Sequence, residues 1–457
     1  MFERKIESEL KEWMNSLKIK RKAFVLKGLR QVGKTVIIKK FAEENYENVI
    51  YINFKVDIEL KKAFDFNLKA DEIIMNLSVM RPDFSFVPNK TVLLLDEIQE
   101  CSGARASIKP FMEDERFDII ASGSLLGLRG YNRKYRGGVS VGFEHIVFMK
   151  PMDFEEFLWA KGVSKDVISY LKDCFIKREP IRSAIHETML KYFKEYICVG
   201  GMPAVVDAFV KTNNYNNALK EQRDILENYK DDFGKHLNEN EEEEIDEILL
   251  GKINKVYNTI PAQLAKENKK FVYSNIEKKA TSTKYDPAIQ WLVDYGLINY
   301  CYNLHEPAAP LEGNKIDNIF KLYVADTGLF ISMLDDGSAS EIMFENMGTY
   351  KGCIYENIIA DSFSKMSLPL YYFSKESGLE IDFITRYKNN INLVEVKSKN
   401  GNTKSAKTVL NDKINYPDVK GEIKFGQYNI GENDNVLTLP YYHFLILLLL
   451  NLYCFYI

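Results

Sequence analysis

Residues 28–35 read Gly28-Leu29-Arg30-Gln31-Val32-Gly33-Lys34-Thr35 and match the spacing GxxxxGK[ST] in full. Glycines at both ends let a loop turn its amides toward phosphate oxygens, a lysine reaches the β and γ phosphates, and a hydroxyl ligates Mg²⁺. Gly28, Gly33, Lys34 and Thr35 are therefore candidate ATP-binding residues, with Thr35 also a candidate ligand of Mg²⁺. The flanks agree: an apolar run, AFVLK, leads in, and a helical pattern over Thr35 to Asn45 leads out, so the helix N-terminus adds its dipole.

A second segment, TVLLLDEIQE, delivers Asp96 and Glu97 to the carboxyl end of an apolar strand. Asp96 is expected to hold Mg²⁺ through water. Glu97 is expected to orient or deprotonate the attacking water, which makes it, with Lys34, a candidate catalytic residue. A third strand, FDIIASGS, ends in Ser122 and Ser124. Either could sense the γ-phosphate, and ordinary turn serines fit as well; Ser122 is the candidate contact.

Glu380, Asp382, Glu395 and Lys397 form a third constellation, on two strands of one predicted hairpin. Period-two alternation puts Glu395 with Lys397, and Glu380 with Asp382, on shared faces. Carboxylates gather a divalent cation that polarises a scissile phosphate, and a lysine steadies the attacking hydroxide. Asp382 and Glu395 are candidate metal ligands, and Lys397 is a candidate catalytic residue. An exposed hairpin of mixed charge is the competing description, because ExK is short and common.

These groups need elements to carry them. The first 150 residues alternate apolar runs (AFVLKG, VIYINF, TVLLLDE, DIIASG) with helical stretches, the rhythm of a parallel sheet with helices on its faces. Residues 151–238 turn helical, with MDFEEFLWA amphipathic and a Gly200-Gly201-Met202-Pro203 break. Phe154, Phe157 and Leu158 are expected in the core of that appendage. Between Glu239 and Glu247 seven of nine residues are acidic, which marks a boundary. Residues 239–305 then give three helical segments closed by a strand-like LINYCYNL, a winged-helix pattern. After a connector at 306–339, residues 340–457 read helix (Cys353 to Lys365), strand, hairpin, helix, a small α/β domain.

The 457 residues carry 46% hydrophobic and 28% charged residues, a globular balance that excludes a single small module and a long disordered chain. With 61 Lys and Arg against 65 Asp and Glu, the net charge of −4 argues against a surface that coats nucleic acid everywhere. Any such contact must be local, and Lys266, Lys269, Lys270, Lys278, Lys279 and Lys284 are the first candidate cluster, beside the alternative of a solvated face. Six cysteines without a CxxC pair and five histidines without ligand spacing speak against zinc and a disulfide framework, so the cytoplasm is the expected location. The N-terminus has no secretory pattern. Residues 441–457, YYHFLILLLLNLYCFYI, carry no formal charge; a buried terminal helix is preferred to a tail anchor because the run is short for a bilayer span.

GLRQVGKT, LLLDEIQE, IIASGSLLG, PMDFEEFLWA, YICVGGMPAVV, IPAQLAKENKKFVYS, FKLYVADTGLF and EIDF with EVKS together resemble the prokaryotic AAA-type ATPases that carry a DUF4143 C-terminal region. The resemblance spans nearly the whole chain. It implies an α/β multidomain protein: a P-loop AAA-type ATPase over 1–150, a helical appendage, a winged-helix middle, and over 340–457 a fold similar to PD-(D/E)xK nucleases. It also implies that Glu356 is an outer metal-ligating acid. The segment LRGYNRKYRGGVSVGFEH departs from relatives that have an AGR-like stretch there, leaving Arg129, Arg133 or Arg136 as the candidate finger. The expected function is ATP hydrolysis coupled to nucleic-acid binding and metal-dependent cleavage. The alternative is an ATP-dependent signalling or protein-interaction switch with an inactive C-terminal domain. DNA or RNA and a second copy of the chain are the candidate partners; a membrane is not expected.

Overall fold

In a computed structural model of the protein, the structure describes residues 1–457 apart from 18, 20, 125–141, 238–242, 344–349, 388, 398–402 and 447–457. The candidate finger arginines and most of the terminal apolar run lie outside the described residues.

The N-terminal sheet has five strands, β1 (Ala23–Gly28), β2 (Asn48–Asn53), β3 (Thr91–Asp96), β4 (Asp118–Ser124) and β5 (Glu144–Met149), in the order β2-β3-β4-β1-β5. Every pairing is parallel. The central strands β1 and β3 are buried along their full length, as unbroken apolar runs covered on both faces must be. Edge strand β5 instead leaves Ile146 and Phe148 exposed. The helix Lys34–Asn45 follows β1 directly, and Gly33 at its start has φ +95°, a left-handed conformation that glycine adopts without a Cβ clash.

Five helices follow, Phe154–Ala160, Lys165–Lys177, Ser183–Val199, Pro203–Thr212 and Tyr215–Leu237. The expected core stripe is there: Phe154, Phe157 and Leu158 are buried. The first of these helices starts with a reciprocal capping box between Asp153 and Glu156. The Gly200-Gly201 break is a packing device. A Cβ on Gly200 would lie 2.2 Å from Asp326 Oδ1, one on Gly201 2.0 Å from Met152 O, and one on Gly328 2.4 Å from Val199 O. Backbone meets backbone here, and Asp326 seals the junction by accepting from Gly201 N (2.7 Å) and Leu329 N (3.1 Å).

The middle, expected as a winged helix, is built into a larger sheet. It contains two α-helices, Glu243–Leu264 and Ser282–Tyr295, with only a 3₁₀ turn, Tyr273–Asn275, between them; IPAQLAKE closes the first helix instead of forming its own. The following strands β6 (Ile298–Leu304) and β7 (Lys315–Val324) pair antiparallel, as a wing would, but β6 also pairs in parallel with β8 (Leu370–Ser374). They complete an eight-stranded mixed sheet with β9 (Glu380–Tyr387), β10 (Asn390–Val396), β11 (Val419–Gly426), β12 (Gly431–Asn433) and β13 (Val436–Pro440), in the order β12-β13-β11-β10-β9-β8-β6-β7. The boundaries expected at 305 and 339 therefore fall within one sheet. Ile298, Cys301 and Leu304 of β6 are buried, and a strand so covered needs partners on both edges.

The helix Lys351–Lys365 lies across this sheet, pairing Phe363 with Phe383 at a ring separation of 5.7 Å. One continuous hydrophobic core runs from Phe24 and Leu26 of the first sheet through the appendage to Phe383, Val394 and Phe425 of the second. The first described residues of the terminal run belong to it. Tyr441 stacks on Tyr355 at 4.4 Å, and His443 is fully buried with Nε2 3.1 Å from Leu171 O. Among the described residues no helix is long and apolar enough to cross a membrane. Cys101, Cys174, Cys198, Cys301 and Cys353 are buried and unpaired.

Candidate functional site

The phosphate loop begins where β1 ends. Gly28 is demanded by its neighbour strand, since a Cβ there would lie 2.4 Å from Met149 O. Lys34 is buried and donates to Gly28 O (3.0 Å) and Leu29 O (2.9 Å) of its own loop. Burial pulls its ammonium down to about 8 against the opposing charges of Glu97 and Asp96. Neutral carbonyls compensate a buried cation poorly, and a polyphosphate would compensate it fully.

Asp96 closes β3 beside the loop, almost fully buried. Its carboxylate accepts from Thr35 Oγ1 at 2.9 Å, Tyr51 OH at 2.8 Å and, through a short contact, Ser122 Oγ. Thr35, Asp96 and Ser122 are thus brought together, and Ser122 here serves Asp96. Glu97 follows at φ +53°, an uncommon conformation for a residue with a side chain, which turns it out of the strand direction. Its carboxylate accepts from Gln99 Nε2 (2.5 Å) and faces Lys55 Nζ at 3.4 Å. Burial would push Glu97 up, but Lys55, Gln99, Lys34 and Arg30 outweigh it and hold the carboxyl below its ordinary value. It stands ionised. Lys34, Thr35, Asp96 and the Gly33 turn form a set of donors and oxygen ligands that fits ATP with Mg²⁺.

Two arginines support this loop and carry no motif that would single them out. Arg4, buried, reaches from the N-terminal segment to Val32 O (3.0 Å), Lys150 O (2.7 Å) and Glu156 Oε1 (3.0 Å). Arg30, inside the loop, pairs with Asp232 of the helix Tyr215–Leu237. Only long-range contact reveals either; the sequence separations are 152 residues for Arg4 and Glu156 and 202 for Arg30 and Asp232.

The C-terminal constellation sits where β9 and β10 leave their shared ladder. Val394 pairs with Phe383, and the next step places Asp382 against the end of β10, where its Oδ2 accepts from Val396 N at 2.8 Å. Glu395 is buried and pairs with Lys397 Nζ at 2.5 Å. Burial first, then the neighbouring Glu356, pushes Asp382 up to about 6; burial and the Asp382 charge push Glu395 up to about 8. Asp382, Glu395 and Lys397 therefore converge. Glu380 does not join them, since it pairs with Lys321 Nζ at 2.8 Å. Glu356 is placed differently from an open metal ligand. Lys269 and Tyr323 (OH to Oε2, 3.1 Å) bind it, with Lys321 3.9 Å away. Burial raises Glu356, but Lys269 and Lys321 overcome that and hold it low. Among the described residues no group of three or more His, Cys, Asp or Glu side chains could hold a metal ion; Mg²⁺ itself is commonly held by one or two carboxylates plus water.

Three of the six lysines in the basic cluster of the middle segment are paired within the protein. Lys284 pairs with Glu277, Lys269 with Glu356, and Lys266 Nζ donates to Asn275 at 2.9 Å.

Residues 20–158 match a family described as AAA domain, and residues 351–443 match a domain of unknown function, DUF4143. Residues 190–340 match another domain of unknown function, DUF8612, which runs from within the helix Ser183–Val199 through the middle helices and β6–β7. No curated protein matches the chain. Among solved structures, a Walker-type ATPase of Pyrococcus abyssi is 15% identical over 73% of this chain and 96% of its own, with a TM-score of 0.42. The ORC2 protein of Aeropyrum pernix is 11% identical over 75% and 93%, with a TM-score of 0.38. The RuvB Holliday junction branch migration motor of Thermotoga maritima is 16% identical over 65% and 89%, with a TM-score of 0.27. These superpositions are loose, so the assignment rests on the family matches and on the loop, Asp96 and Glu97. The chain is a P-loop ATPase of the AAA type that carries a DUF4143 domain.

Proposed function

We propose that this ATPase couples its nucleotide state to nucleic acid, which the C-terminal domain binds and cleaves with a divalent metal, and that it works in the cytoplasm. At the first site Lys34 binds the phosphates, Thr35 and Asp96 hold Mg²⁺, and Glu97 orients the attacking water. Mg²⁺ there would neutralise charge on the β and γ phosphates. At the second site Asp382 and Glu395 hold the cation, which would polarise a scissile phosphate, and Lys397 steadies the hydroxide.

One observation carries the second part. Strand register brings Asp382 to the end of β10, next to the Glu395–Lys397 pair, and this grouping of two carboxylates and one ammonium supports the reading. The test is cleavage of single- and double-stranded DNA and RNA with Mg²⁺ or Mn²⁺, with and without ATP. Asp382→Ala is expected to abolish metal binding and cleavage, and Lys397→Ala to spare metal binding while slowing cleavage about a hundredfold. ATPase activity survives both. A wild type that cuts nothing and binds no cation at this hairpin by calorimetry defeats the nuclease part.

The ion pairs around Glu356 favour a second reading, in which the C-terminal domain only binds and the chain acts as an ATP-dependent switch. That reading predicts nucleotide-dependent binding of a partner that persists in Asp382→Ala.

A further inference from the structure

The phosphate loop places a charged residue, Arg30, between its two glycines, where the backbone wraps the phosphates and a side chain starts close to them. Arg30 makes a charged contact with Asp232, a carboxylate on the helix Tyr215–Leu237 that is only 3% exposed. The same carboxylate accepts from Tyr295 OH at 2.7 Å, from the helix Ser282–Tyr295. Tyr229 OH donates to Arg30 O at 2.9 Å, so the residue is held at backbone and side chain together. Tyr295 is itself fixed between rings, at 5.1 Å from Trp291 and 5.3 Å from Phe233.

A buried carboxylate is costly and persists only where donors satisfy it. Arg30 and Tyr295 both serve Asp232, and Arg30 belongs to the phosphate loop. Packing alone would be served as well by an apolar pair. A guanidinium in a phosphate loop has a chemistry of its own: its planar fork binds a phosphate through two parallel bonds. The Arg30 side chain is 24% exposed, neither sealed in the core nor free in solvent. Its positive charge acts on both Lys34 and Glu97, the groups at the phosphate and water ends of the site.

We propose that Arg30 contacts the terminal phosphate of ATP within the same chain, and that Asp232, held by Tyr295, is the positioning residue that aims it. The proposal rests on the ATPase assignment and gives the nucleotide a path out of its site. Whatever the γ-phosphate does to Arg30 is felt by two helices, and the second leads directly into β6 of the C-terminal sheet.

The experiment measures ATP and ADP dissociation constants, kcat and KM on the full chain. Arg30→Ala is expected to weaken ATP about tenfold and lower kcat about tenfold or more, while ADP affinity stays within about twofold. Asp232→Asn should shift the ATP-to-ADP affinity ratio in the same direction, and the double variant should be no worse than Arg30→Ala alone, the signature of coupled residues. A purely structural pair would weaken both nucleotides alike. If Arg30→Ala does not fold by circular dichroism, Arg30→Lys decides, since it keeps the charge and loses the fork; a loss of ATP preference is expected there too. An unchanged ATP-to-ADP ratio and kcat in Arg30→Lys and Asp232→Asn overturns the proposal. Lys34→Ala separates the outcomes, because it must lose both nucleotides if the site binds ATP at all.

Discussion

At the scale of single residues, the proposed roles divide the nucleotide site between binding and chemistry. Lys34→Ala removes the buried cation that the loop is built around, and equilibrium binding should show ATP and ADP affinity both lost. Glu97→Gln keeps the hydrogen bond geometry but not the charge, so nucleotide should still bind while steady-state phosphate release falls about a hundredfold or more. Normal turnover in that variant would remove Glu97 from the reaction. The loop, Asp96 and Glu97 were legible in the sequence because each is local: glycine spacing, or a carboxylate at the end of an apolar run. Arg4 and Asp232 were not, because nothing within a dozen residues of either announces a partner far along the chain. Asp382, Glu395 and Lys397 were readable from strand alternation, whereas the lysines that occupy Glu356 come from the middle segment and from β7, which alternation within the hairpin cannot reveal.

At the scale of elements, two junctions decide whether the helices and sheets dock. Gly201 has no room for a methyl group, since its Cβ would lie 2.0 Å from Met152 O. Gly201→Ala is expected to cost about 3 kcal/mol in urea unfolding, through a backbone that must shift and not through lost flexibility. A change below about 0.5 kcal/mol would show that the two loops are not in contact in solution. His443 ties the terminal segment to the helix Lys165–Lys177, and burial pulls its imidazole from 6.5 down to about 4. The unfolded chain therefore takes up a proton that the folded one refuses. Stability from this residue is complete above the unfolded value near 6.5 and is lost as pH falls toward 4, by about 3 kcal/mol in total. Unfolding at pH 7 and pH 4.5 should show that loss in wild type and a smaller one in His443→Gln. The extent of the second sheet was not legible at this scale for a physical reason: periodicity identifies the strands β6 and β7, but only the chain that follows shows which sheet they join.

At the scale of the molecule, the continuous core means that the ATPase sheet and the C-terminal sheet are not independent. Thermal unfolding should be a single transition in which fluorescence of Trp13 in the N-terminal half and Trp291 in the middle, each isolated by replacing the other tryptophans with Phe, coincides with nucleotide release. Two separated transitions would mean that the shared core does not couple the halves. Conversely, residues 1–158 expressed alone should aggregate, because the apolar faces of Phe154, Phe157 and Leu158 would lose the later appendage helices that cover them.

The buried, unpaired cysteines give the native protein a chemical clock. Burial pushes the thiols of Cys101 and Cys353 upward, the latter to about 12, so neither water nor a reagent reaches a thiolate while the fold is closed. Cys101 follows β3 by the nucleotide site, Cys301 lies in β6, and Cys353 begins the helix over the second sheet. Alkylation followed by peptide mass spectrometry would then time the opening of each region separately, with no residue replaced. Added nucleotide should slow modification of Cys101, and if the halves open together it should slow Cys301 and Cys353 by the same factor.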